Sequence, residues 1–102
     1  MQFDGEYNIV SRFYKIGKHR GKVIVKTEGN TLTGVAVALG KESPLHNGII
    51  SGNDFTCDMD MAVPFTKRRI KMMVKGKFTE DSIQGTMMAP FGKSEFEGRK
   101  TS

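Results

Sequence analysis

Apolar and polar residues alternate with period two along most of the chain, the spacing that sends successive side chains to opposite faces of a β-strand. The clearest run sets Phe55, Cys57, Met59, Met61 and Val63 against Asp54, Thr56, Asp58, Asp60 and Ala62. After Pro64-Phe65-Thr66-Lys67, a second run sets Ile70, Met72, Val74, Gly76 and Phe78 against Arg69, Lys71, Met73, Lys75 and Lys77. One face of each run is apolar and the other wet, as in an antiparallel sheet covered on one side. Apolar residues never recur at spacings of three and four without a glycine or a β-rich alternation intervening, so helices are not expected.

Turn signals at Gly29-Asn30, Gly52-Asn53, Glu80-Asp81 and Phe91-Gly92 divide the chain into the short strands of a meander. The pattern predicts strands at about 3–14, 20–28, 31–39, 44–51, 54–63, 68–79, 82–89 and 94–100. An open sheet of this size would leave two unpaired edges. The expected fold is therefore all-β, an eight-stranded up-and-down antiparallel barrel in a single domain over residues 1–102.

Hairpin register gives the expectation a check. A two-residue turn at Glu80-Asp81 sets Phe78 against Ile83, Gly76 against Gly85, Val74 against Met87 and Met72 against Ala89. A turn at Gly29-Asn30 sets Val25 against Gly34, Val23 against Ala36 and Gly21 against Ala38, and one centred on Phe65-Thr66 sets Met61 against Ile70 and Met59 against Met72. Every pair is apolar or small, which a one-residue slip would destroy. The halves 1–51 and 52–102 also resemble each other. Val23, Leu32, Gly34, Ala36 and Ala38 reappear 51 positions later as Val74, Ile83, Gly85, Met87 and Ala89, as duplication of a four-stranded unit would produce.

The inner face joins methionines to very small residues. Gly21, Gly34, Ala36, Ala38, Gly76, Gly85 and Ala89 leave space beside Met59, Met61, Met72 and Met87. Small barrels of this kind either fill with side chains or hold one small ligand, and both outcomes stay open here.

Composition and charge narrow the choice of partner. The chain is 37% hydrophobic and 26% charged, ordinary for a globular domain. It lacks an apolar run long enough to span a membrane, and Met1 does not lead into a signal peptide. One cysteine, Cys57, permits no internal disulfide, and a reducing cytoplasmic setting is expected. The net charge of +5 and pI near 9.5 favour anionic partners. In a meander the connections after the odd-numbered strands share one end, and these carry Lys15, Lys18, His19, Arg20 and Lys22, then Lys41, then Lys67, Arg68 and Arg69, then Lys93, with Glu42 the only acid among them. The opposite end carries Asp4, Glu28, Asp54, Glu80 and Asp81, partly offset by Lys26, Lys77, Arg99 and Lys100.

A ring of cations around an apolar interior suits an amphipathic or anionic small molecule, body inward and head at the rim. The first expectation is a non-enzymatic binding protein. Its ligand would be seated by Tyr7, His46, Met59, Met72 and Met87 and met at the rim by Lys18, Arg20, Lys67, Arg68 and Arg69. His46 is expected to face inward if Gly52-Asn53 forms a two-residue turn, although a match of Leu45 with Phe96 in the other half argues the opposite direction. An isomerase or cyclase using His46 and Tyr7 as acid and base inside the barrel is the alternative. A nucleic-acid or protein-binding module is a third, although exposed aromatics for base stacking are few and tryptophan is absent. No spacing of His19, His46 and Cys57 suggests a metal site, no cofactor motif appears, and a homodimer remains open.

Length, meander and interior alternation resemble the calycin type of barrel, streptavidin-like and lipocalin-like, across nearly the whole chain. The lipocalin Gly-x-Trp signature is missing, and without tryptophan the biotin site of avidins is not implied. The closing pattern Asp81-Ser82-Ile83-Gln84-Gly85, Pro90-Phe91-Gly92 and Phe96-Glu97-Gly98-Arg99 looks like the tails of small bacterial β-proteins, a likeness that implies no activity.

Overall fold

The computed structural model describes residues 3–13, 17–38, 40–62, 68–90 and 92–101. Eight strands follow one another in chain order: β1 (Gly5–Phe13), β2 (Gly17–Glu28), β3 (Thr31–Ala38), β4 (Lys41–Ser51), β5 (Asp54–Ala62), β6 (Arg69–Thr79), β7 (Ser82–Ala89) and β8 (Gly92–Lys100). Each pairs antiparallel with its neighbours, and β8 returns to β1 through the register Tyr7↔Lys100 to Arg12↔Glu95, closing the barrel. Closure leaves no strand edge to template association. The strands begin and end within three residues of the positions the alternation predicts, because burial of one face fixes them.

The hairpin registers follow the same logic. Val74↔Met87, Gly76↔Gly85 and Phe78↔Ile83 pair across β6 and β7, Gly21↔Ala38 and Val23↔Ala36 across β2 and β3, and Met59↔Met72 and Met61↔Ile70 across β5 and β6. Gly29 and Gly52 each hold φ at 61° at the first position of their turns, where a side chain would be strained.

The two ends of the barrel are built differently. At the end carrying the β2–β3, β4–β5 and β6–β7 turns, Phe78 is fully buried and sits 4.9 Å from Phe3, 4.9 Å from Phe55 and 5.7 Å from Tyr7, centroid to centroid. Distances of this order are those at which aromatic pairs attract beyond their buried area. The Tyr7 hydroxyl donates to the Phe3 carbonyl at 2.9 Å, so its polar tip is satisfied inside the plug. Asp4 closes the same end by accepting from the Thr27 hydroxyl at 2.7 Å and the Thr27 amide at 2.8 Å.

His46 departs from the inward orientation expected of it. Ile50 pairs with Phe55 as expected, but the register shifts between Ile49 and His46, and Leu45 then faces Met59 while His46 faces Asp58. The shift is a β-bulge at Asn47, whose φ is 53°, an angle asparagine tolerates better than most residues. Beside it Gly48 is buried hard against the Leu32 backbone, an approach no side chain would allow. The extra residue turns Leu45 into the barrel and His46 out to solvent.

Candidate functional site: a cavity at the basic end

At the other end the inward positions are occupied by smaller or more flexible side chains, and a cavity of about 190 Å³ remains. On the β2–β3 side Gly21, Ala36 and Ala38 present almost no bulk near the mouth, and Val23, Val25 and Leu32 continue the wall toward the turn end. Leu45, Cys57, Met59, Val74 and Met87 line the facing wall. Ser11 and Ser43 add two hydroxyls, that of Ser11 donating to the His19 carbonyl at 3.4 Å. Apolar atoms dominate this surface, so a bound group would be held chiefly by removal from water.

The mouth is cationic. Arg20 and Lys41 border the cavity and are themselves exposed, which places them where it opens, with His19 beside them; Lys22 also borders it but alternates with the inward Gly21 and Val23, and its ammonium lies 3.6 Å from Glu6 Oε1. Arg20 and Lys41 come from β2 and the start of β4, brought together by the registers Gly21↔Ala38 and Ala38↔Lys41. No acidic residue lies among the described residues of the wall or mouth. Clustered cations over an apolar hollow raise the local concentration of anions.

The residues expected to seat a ligand divide. Met59 and Met87 are on the wall, and Arg20 is at the mouth. Tyr7 and Met72 are buried inside the barrel at 0% and 1% exposure but are not among the described wall residues, and Tyr7 belongs to the aromatic plug. Arg68 and Arg69 are exposed, and the Arg69 guanidinium donates to the Asp60 carbonyl at 3.0 Å, outside the cavity. Lys67 and the side chain of Lys18 lie outside the described residues. Lys22, Lys41, Ser11, Ser43 and Leu45 were absent from the expected ligand set. Topology assigned the lysines to this end, but only the distribution of small residues, concentrated on β2 and β3, signals which side of the end is hollow.

The acid–base pair required for chemistry inside the barrel is not assembled. His46 lies outside, with Nε2 3.8 Å from Asp60 Oδ2, whereas Tyr7 lies inside with its hydroxyl engaged. Burial also pushes the Tyr7 hydroxyl above its ordinary pKa. Cys57, although on the cavity wall, has its thiol pushed up to about 11, by burial first and then by the charge of Asp58, and so carries little thiolate at neutral pH. Among the described residues no cluster of His, Cys, Asp and Glu has metal-binding geometry, and no helix is long and apolar enough to cross a membrane.

No protein family, curated protein or solved structure matches the chain.

Proposed function

We propose that the protein binds a small amphipathic anion without transforming it, the apolar body entering the hollow end of the barrel and the charged head meeting Arg20 and Lys41. The observation that carries this reading is the conjunction of an apolar cavity with cations, and no acid, among its described lining residues, at one end of a barrel whose other end is plugged. Apolar pockets with a few convergent polar groups are the usual form of small-molecule sites. Size restricts the ligand. An apolar cavity of about 150 Å³ accommodates benzene, so this one suits a single ring or a short chain rather than a long lipid.

Octanoate and octanol form a matched pair of probes with the same chain and different heads. In a protein carrying Arg20→Gln and Lys41→Gln, octanoate affinity at low salt should fall about fivefold or more, given two cations that each act within a Debye length. Octanol affinity should hardly change. Equal losses for both probes, or none for octanoate, would contradict the reading.

A further inference from the structure

We infer that Phe55 and Phe96 form a rigid floor that sets the length of ligand the cavity admits, making it selective for acids with bodies of about six to eight carbons or one ring. This rests on the binding role proposed above and adds its specificity determinant.

Both rings line the cavity, and both residues are buried, at 4% and 8% exposure. The registers Phe55↔Gly76, Gly76↔Gly85 and Gly85↔Phe96 place four residues in one cross-strand row, with rings at its two ends and glycines between. Each ring leans over its neighbouring glycine. A Cβ built on Gly76 would lie 2.7 Å from Phe55 Cζ, and one on Gly85 would lie 2.9 Å from Phe96 Cζ. The glycines therefore do not add to the hollow, because the rings occupy the space they leave.

On its Phe55 side the floor is also backed. Phe55 packs against Phe78 at 4.9 Å, and Phe78 stacks on Phe3 at 4.9 Å and an interplanar angle of 14°. At Phe55 a chain growing inward meets an aromatic stack that close packing prevents from receding. The side walls differ, since Met59 and Met87 are unbranched and adjust to the width of a ligand. Width is thus forgiving and depth is not.

The test is isothermal titration of the full chain with straight-chain carboxylates from butanoate to hexadecanoate, each kept below its micelle concentration. Affinity should rise about fourfold for each added methylene until the chain reaches the floor near octanoate, then level off or fall. Phe96→Leu, and separately Phe55→Leu, should move that break to acids longer by two or more carbons. Phe96→Leu leaves the Phe78 stack untouched, so it serves even if Phe55→Leu does not fold. A break that stays in place in the folded variants, or a wild-type series that climbs without a break, overturns the floor while leaving the binding role standing. Silence of every acid and of the matching alcohols overturns the binding role, and the floor with it.

Discussion

The two ends of this barrel are made by the same eight strands with the same inward alternation, yet one is solid and the other hollow. At the turn end Phe3, Tyr7, Phe55 and Phe78 fill the cross-section, and Asp4 and Thr27 tie its margin. At the basic end Gly21, Ala36 and Ala38 stand where rings stand below, and a cavity of about 190 Å³ results. Side-chain volume makes the difference within the strands, and Phe3, which precedes β1, adds a ring to the turn end alone. A barrel can in this way assign stability to one end and binding to the other.

The largest effect should come from removing the plug. Phe78→Ala takes away the ring on which three others converge, and loss of a buried phenylalanine costs about 3–5 kcal/mol. For a domain of this length that corresponds to a fall in melting temperature of about 12 °C or more. A drop of only a few degrees, read by thermal circular dichroism, would mean that the aromatic end is not the seat of stability.

Matched enlargements sharpen the contrast at the next level. Gly76→Ala puts a Cβ 2.6 Å from the Gln84 carbonyl and 2.7 Å from the Phe55 ring, and such overpacking costs about 1–3 kcal/mol. Ala36→Leu adds more atoms but adds them to the hollow, so stability should stay within about 1 kcal/mol of the parent or rise. Octanoate binding should be lost in the second variant. Urea titrations of both proteins read the difference, and equal destabilisation would show that the two ends do not differ in packing.

A smaller effect concerns acid. Hydrogen bonds from the Thr27 hydroxyl and then the Thr27 amide hold the Asp4 carboxyl below its ordinary pKa of 3.8. A group whose pKa is lowered by folding stabilises the native state above its unfolded value and loses that contribution as pH falls through its folded one. The stability difference between the parent and Asp4→Asn should therefore be constant from neutral pH down to about pH 5 and shrink below about pH 4. A difference that widens on acidification would contradict this account of the margin.

The fold was legible because period two is a strong signal when one face is buried. The runs from Phe55 and from Ile70 could satisfy their inward residues in one register only, and the turns at Gly29, Gly52 and Glu80 fixed the offsets. His46 shows where that signal ends. Its direction depends on a single extra residue at Asn47, and the place of that residue depends on how closely Gly48 meets Leu32 on a strand distant in sequence. The Leu45–Phe96 correspondence between the halves pointed the right way, against the turn argument.

The site was legible in part. Charge and topology located the basic end, but the small residues were expected as one set around the barrel, with no side singled out as hollow. Gly21 and Gly76 look alike in sequence, and only the packed structure reveals that one borders a void while the other lies under a ring. The run Lys67-Arg68-Arg69 was the most conspicuous cationic feature of the chain, yet the described cations at the mouth are Arg20 and Lys41. Topology specifies the end of a barrel at which a loop emerges but not its azimuth relative to a cavity.

Amide and methyl chemical shifts followed by nuclear magnetic resonance during an octanoate titration test the central claim most directly, because they report on both ends in one sample. Ala36, Ala38, Leu45 and Met87 should shift and saturate together, while Phe3, Tyr7 and Phe78 stay unperturbed, since the first group lines or borders the hollow and the second belongs to the plug. Saturating shifts confined to outward residues such as Met73 and Met88, or no saturable shifts at all, would contradict the account of the hollow end as a binding site.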